Sequence, residues 1–249
     1  MSPVQKLWIL FPTKDEASAA FGFNRGNWVK HPEIDCYTYR HGVIEIQAFV
    51  IGVGEKCSSS VQSIFKACEG DTLPKYAILA GYAGACSEKH KNGDLFWVKN
   101  VFDEKFNLAA SKKLPAILED SETLKPANII CFNQIATQKK KRLFGEKGLD
   151  LVEMEYLSVN RELTKKGMEL ISVRVVLDEI GDEIPESLVE ILQNGKVNFK
   201  KMLLWVVCNV WFLPKLIRLG IQAKKAQKCL ENGLNIMISR LFYTGFRKR

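Results

Sequence analysis

The sequence predicts an α/β fold, a sheet covered by helices on both faces, followed by a C-terminal helical extension. Three observations predict it. Short apolar, β-branched runs alternate with helical stretches across the first 180 residues, which is how strands and covering helices read when they are taken in turn. Several of the runs end at glycine or at an acid, as strands do where they leave a sheet. After Pro185 the alternation stops, and an apolar-aromatic stretch gives way to a basic one.

The elements follow in order. The first strand is expected over Lys6–Phe11, because this apolar run is too short for a signal-peptide core and charges follow at once. Further strands are expected over Val43–Val53, Tyr76–Ala80, Asp94–Val101, Asn128–Phe132, Leu149–Met154 and Leu170–Leu177. Helices are expected over Glu55–Glu69, Glu155–Lys166 and Ser187–Gln193. Met202–Leu213 is almost wholly apolar, yet a membrane-spanning helix needs about 20 apolar residues, so this run does not span. Pro214 suits the first turn of a further helix through PKLIRLGIQAKKAQKCLENGL. The boundary between main domain and extension is placed at 195/196.

Composition narrows the class. A chain of 249 residues with 47% hydrophobic and 26% charged residues can bury a full core. Its seven cysteines (36, 57, 68, 86, 131, 208, 229) are odd in number and have no C-x-x-C pair, and His31, His41 and His90 are scattered. These features speak against a disulfide framework and a metal centre, and for a reducing, cytoplasmic setting. The net charge of +8 belongs to the tail, where residues 196–249 hold twelve Lys/Arg against Glu231, leaving residues 1–195 at −3. A uniform nucleic-acid-binding surface is therefore not expected. Lys139, Lys140, Lys141 and Arg142 read as a solvated face.

Chemistry is sought beyond the carboxyl ends of the strands, where open α/β sheets bind ligands. Glu16 follows the first strand, Glu155 closes VEME, Asp178 closes RVVLD, and Asp94 sits in NGDLFWV. Taken singly, such acids are most simply helix caps or first-turn residues. Taken together, they suit cleavage of a glycosidic bond, whose oxocarbenium-like transition state calls for a carboxylate near the cation and an acid for the leaving group. Gly52 and Gly54 are accounted for by a tight strand-to-helix turn alone.

These residues carry a resemblance. KDEA after the first strand, IGVGEKCSSSVQSIF, LAGYAGACSEKHKNGDLFWV, LDLVEMEYLSV and ISVRVVLDE resemble, in order over roughly residues 5–182, the superfamily of purine nucleoside phosphorylases and methylthioadenosine/adenosylhomocysteine nucleosidases. The resemblance implies a three-layer α/β/α phosphorylase-like fold with a central mixed sheet, a homo-oligomer, and no metal or organic cofactor. It implies that Asp178 protonates the purine N7, that Glu155 accepts hydrogen bonds from the ribose hydroxyls, and that Met154 packs on the sugar. Glu16 would hold the attacking water, Arg174 would orient a carboxylate from behind, and Gly81 and Tyr82 would line the substrate site. Two departures stand out: Tyr82 takes the place of a Ser or Thr that helps bind phosphate or water, and Leu177 replaces the Ser before the acid. The first departure, with Glu16 repelling phosphate, favours hydrolysis. The alternatives are phosphorolysis, action on methylthioadenosine or adenosylhomocysteine, and a non-catalytic nucleoside or lipid binder.

The downstream segments RVVLDEIGDEIP and FLPKLIRLGIQAKKAQKCL resemble the hopanoid-biosynthesis-associated subgroup, which implies adenosylhopane, a lipid-linked adenine nucleoside, as substrate. Aromatic and basic residues interleaved in the tail suit helices on the inner face of a membrane, and equally a core helix followed by a solvated basic one.

Overall fold

The computed structural model describes residues 5–22, 27–32, 34–115, 118, 124–182 and 213–244. Among these, ten strands form one mixed sheet: β1 Gln5–Phe11, β2 Trp28–Lys30, β3 Cys36–His41, β4 Ile44–Val50, β5 Tyr76–Ala85, β6 Leu95–Phe102, β7 Leu108–Ser111, β8 Lys125–Cys131, β9 Leu151–Glu153 and β10 Glu169–Asp178. The helices are α1 Lys14–Ala17, which runs into a 3₁₀ turn over Ser18–Gly22, then α2 Lys56–Ala67, α3 Gln138–Glu146, α4 Tyr156–Thr164 and α5 Leu213–Ser239. The expected mixed sheet between helical layers is what the chain forms.

Strand β5 is the hub. Its sequence YAILAGYAGA is apolar on both faces, as a strand buried on both sides must be. Its first half lies between β1 and β10, both parallel to it, and its last two residues pair with β9 running the other way. The strands β5, β10, β6, β8 and β9 thereby close a ring, and β1, β4, β3 and β2 extend the sheet from β5. One face packs against α1, its 3₁₀ turn and α5. The other packs against α2 and α4, with Cys57, Val61, Tyr156, Val159 and Leu163 fully buried. A third, smaller cluster lies under α3 around Phe144, Ile130 and Val152.

Two expected boundaries shift for physical reasons. The strand expected over Val43–Val53 stops at Val50, because Gly52 and Gly54 adopt φ of +86° and +64° and turn the chain into α2. The strand expected over Tyr76–Ala80 runs on to Ala85, because β9 and β10 give Gly81-Tyr82-Ala83-Gly84 partners. Strands β2, β3 and β7 and helix α3 carry weak sequence patterns and were not among the expected elements. The expected helix Ser187–Gln193, the apolar run at 202–212 and the boundary at 195/196 lie outside the described residues.

The final helix begins with Pro214 in its first turn, as expected, and continues to Ser239. Its second half is core. Ala226, Leu230, Leu234, Met237 and Ile238 recur at helical spacing and are fully buried with Val173, Val175 and Leu95. Each large apolar side chain among them contributes about 1.5–3 kcal/mol. Gly233 lets the helix lie directly on Leu95. The first half is different: Ile217 and Ile221 are 58% and 65% exposed, beside exposed Arg218, Lys224 and Lys225. Among the described residues no helix is long and apolar enough to cross a membrane.

Candidate active site

The carboxyl ends of β1, β5 and β10 open into a cavity of about 340 Å³, within the roughly 300–1,000 Å³ of small-molecule sites. Glu16, Tyr82, Met154, Glu155 and Asp178 all line it. Val53, Ala136, Val152 and Leu177 add apolar walls. Asp94 is not among the lining residues; its carboxylate accepts the backbone N–H of Lys91 at 2.8 Å and closes a turn.

Glu16 arrives on α1, the one-turn helix after β1. Thr13 caps that helix and donates its hydroxyl to Glu16 Oε2 at 2.6 Å, while Glu16 N donates back to Thr13 Oγ1 at 3.3 Å. The simple capping reading thus accounts for one oxygen. The other, Oε1, accepts the backbone N–H of Tyr82 at 2.7 Å, tying α1 to β5. Burial pushes the Glu16 carboxyl above its usual range against these hydrogen bonds.

Glu155 arrives from a strand that runs against β5. It still reaches the cavity because β9 is three residues long: Leu151 pairs with Ala85 and Val152 with Gly84, so the chain leaves the sheet close to where it entered. Glu155 is the N-cap residue of α4, but its side chain makes no capping bond. Glu153 caps instead, accepting Glu155 N and Tyr156 N at 3.0 Å. The Glu155 carboxylate is left to accept Gly54 N at 3.4 Å and Arg174 Nη2 at 3.3 Å.

Arg174 is fully buried behind these groups and donates to both Glu153 and Glu155. One guanidinium is thus shared between two carboxylates, with Glu16 also in its field. Burial, with Glu153 and Glu16 adding to it, outweighs the attraction of Arg174 and pushes Glu155 up to about 8. Gly81 makes the arrangement sterically feasible, since a Cβ there would meet Arg174 Nη1 at 2.6 Å and Glu16 Oε1 at 2.7 Å.

Asp178 arrives at the end of β10, where the register with β5 shifts between Val176 and Asp178. Neighbouring residues of a regular strand face opposite ways. The irregularity lets Leu177 and Asp178 line the same cavity while Val176 stays in the core. Burial raises the Asp178 carboxyl, and the ammonium of Lys141 opposes that rise.

Lys141 corrects the sequence reading. It does not share a solvated face with Lys139, Lys140 and Arg142; it is 2% exposed and donates to Asp178 Oδ2 and, at 3.3 Å, to Glu179 O. Helix α3 presses Gly145 against the carbonyl of Cys86 at the end of β5, where a Cβ would overlap it. Lys141, one turn earlier on the same helix, is carried inward with it. Glu153 was likewise not singled out in the sequence. The available signals were Gly145 four residues after Lys141, and a second Glu two residues before Glu155. Tyr82 lines the cavity and gives its hydroxyl to Asp15 Oδ2 at 3.0 Å.

Chemically, the cavity offers three carboxyl groups, each raised above its ordinary range by burial, that can accept hydrogen bonds from hydroxyls or water between apolar walls. Neither a protein-family model nor a curated protein matches this chain by sequence. Solved structures do match by shape. The methylthioadenosine nucleosidase of Arabidopsis thaliana superposes with a TM-score of 0.66 at 16% identity, over 95% of this chain and 96% of that one. The methylthioadenosine/S-adenosyl homocysteine nucleosidase of Helicobacter pylori gives 0.58 at 19% identity, over 84% and 100%. Futalosine hydrolase of the same organism gives 0.57 at 19%, over 80% and 97%. The chain therefore has the fold shared by the methylthioadenosine nucleosidases and futalosine hydrolase.

Proposed function

We propose that this protein hydrolyses the N-glycosidic bond of an adenine nucleoside. The observation that carries the reading is the convergence of Glu16, Glu155 and Asp178, from three separate strand ends, on one cavity with apolar walls. The shape neighbours named above are nucleosidases and a hydrolase, which supports the same class.

In this mechanism the C1′–N9 bond breaks and its electron pair stays on the base. Asp178 gives a proton to N7. Glu155 holds the ribose hydroxyls with Met154 against the sugar, and its carboxylate offsets positive charge at C1′. Glu16 orients a water, whose oxygen adds to C1′ and whose proton passes to Glu16. Arg174 positions Glu155 from behind. Phosphate is disfavoured as nucleophile. The lining cation Lys141 is already held by Asp178, Arg174 is shared by two carboxylates, and the Tyr82 hydroxyl faces Asp15.

Within this reading the substrate is adenosylhopane, whose 5′ substituent is a polycyclic lipid, and the protein works as a homo-oligomer at the membrane surface. The exposed Ile217 and Ile221 beside Arg218, Lys224 and Lys225 support the surface contact, since apolar and cationic side chains on one helix face suit an anionic bilayer. Charging the face with Ile217→Glu and Ile221→Glu is expected to abolish sedimentation with phosphatidylglycerol vesicles while leaving the fold intact. Unchanged sedimentation would reject the contact.

The deciding experiment is adenine release from adenosylhopane and from methylthioadenosine, with and without phosphate. Phosphate-independent release from the lipid nucleoside alone supports the whole reading. Release from the small nucleoside alone keeps the chemistry and rejects the lipid substrate. No release from either rejects both of these substrates, and no release from any adenine nucleoside rejects the hydrolysis.

A further inference from the structure

Lys141 is the one site contact that neither the strand ends nor the carboxylate pattern explains. A lysine near the start of a helix is disfavoured by the helix dipole, and burying its ammonium costs several kcal/mol more unless it is paired. The chain nevertheless drives this side chain inward. Gly145 has no Cβ to collide with the Cys86 carbonyl, so α3 can lie close to the end of β5, and Thr137 caps the start of the helix. The ammonium then meets the carboxyl of Asp178 through Oδ2, with the Glu179 carbonyl as second acceptor. On the far side, Gly84 is where β5 passes beneath the pair. A Cβ there would lie 3.1 Å from Lys141 Cε and 3.3 Å from Asp178 Oδ2, so a side chain would press on both groups where they meet. A pair serving stability alone would gain as much from two apolar side chains of similar volume.

We propose that Lys141 is a positioning residue for Asp178: it locks the carboxyl through Oδ2 and supplies the counter-charge for the carboxylate left when the proton passes to the base. This rests on the nucleosidase reading. The proton leaves Asp178 for N7, the electron pair of the broken C1′–N9 bond remains on the base, and the new carboxylate faces an ammonium already in place. No reorganisation is then needed as the charge forms.

Other ionisable groups approach the pair without replacing it. Cys86, at the end of β5, is pushed up to about 12 by burial and stays neutral. Asp150, before β9, is held by His90 Nε2 at 3.0 Å. Asp182, after β10, is paired with Arg218 of α5 at 3.4 Å, and Glu179 with Lys91 at 3.3 Å. Among the described residues, Lys141 is thus the cation in direct contact with Asp178.

The test compares wild type, Lys141→Met and Lys141→Arg. Two readouts are used: the pH profile of kcat/KM for adenine release, and the pH titration of the Asp178 carboxyl carbon followed by ¹³C NMR without substrate. In Lys141→Met, kcat is expected to fall about tenfold or more, with KM within about threefold, in keeping with the roughly 10²–10⁴-fold worth of acid catalysis. The alkaline limb and the NMR midpoint are expected to move up together by about one pH unit or more. Lys141→Arg keeps the charge and is expected to restore both. If Lys141→Met fails to fold, Lys141→Gln keeps a hydrogen-bond donor without the charge and is expected to show the same shifts. An unmoved limb and midpoint in an active, folded, uncharged variant would overturn the proposal. A wild type that releases no adenine from any nucleoside would instead overturn the nucleosidase reading, whatever the NMR midpoint does.

Discussion

Glu153 accepts the backbone N–H of Glu155 at 3.0 Å, and this contact releases Glu155 from the helix end on which it sits. The first N–H groups of a helix lack partners within it and need an acceptor from a nearby side chain. Here Glu153 supplies it, and the freed Glu155 carboxylate turns toward the cavity, where Arg174 holds it from behind.

Replacing Asp178 by Asn removes the proton but keeps the shape. Turnover is expected to drop by roughly 10²–10⁴-fold, with nucleoside affinity within about threefold of wild type. Adenine release and calorimetric binding on the same preparation check this. Loss of both together would mean that Asp178 builds the site and does not act as its acid.

The Glu155 carboxyl makes stability depend on pH. Its ordinary value is 4.5, and in the folded chain it is pushed up to about 8. The unfolded chain gives up this proton first, so the stability tied to it is complete below about 4.5 and is lost as pH rises through about 8. Glu16 and Asp178 are raised as well and act in the same direction. Urea unfolding from pH 5 to 9 is expected to show falling stability, and Glu155→Gln is expected to flatten the slope. An equal slope in the variant would mean that Glu155 is ionised throughout.

Substrate should reverse that protonation. Hydroxyls that donate to the Glu155 carboxylate favour its charged form, so nucleoside binding at pH 7 is expected to release protons. Calorimetry in buffers of different ionisation enthalpy measures the number, and Glu155→Gln is expected to bring its part to zero. Proton uptake by the wild type would contradict the assigned contact.

Gly81→Ala places a methyl group against Arg174 Nη1 and Glu16 Oε1. The overpacking is expected to cost about 1–3 kcal/mol of stability and to lower kcat/KM more than tenfold by displacing both side chains. Gly70→Ala is not a suitable control, because Gly70 has φ of +88° and would be strained for another reason. Gly181, with open space around it and no positive φ, is the better one.

Leu230→Ala tests whether α5 belongs to the core. A cavity left by a fully buried leucine costs about 2–5 kcal/mol, read as a lower urea midpoint with little change in slope. A variant within about 0.5 kcal/mol of wild type would mean that the helix only rests on the domain.

Most of the fold was legible in the sequence because it rests on local pattern. Apolar runs such as LWILF and ISVRVVL bury themselves as strands wherever partners exist, and the glycines at 52 and 54 mark a turn that few other residues could make. The carboxylates at 16, 155 and 178 stood out because each follows such a run. The short strands β2 and β7 did not, since three or four residues with exposed side chains carry no periodicity of their own and depend on a neighbour's free edge.

What the sequence by itself determined is the alternation of strand and helix, the glycine-marked turns and the placing of three acids at strand ends. All of these follow from hydrophobic period and backbone sterics, which act over a few residues. Tertiary structure alone decided the ring closed by β9 and β10, the irregularity that turns Leu177 and Asp178 to one side, and the partners of the acids. Lys141 shows why. Among four consecutive basic residues its burial depends on Gly145 meeting the Cys86 carbonyl and on Asp178 waiting 37 residues further along the chain, and no local preference carries information over that distance.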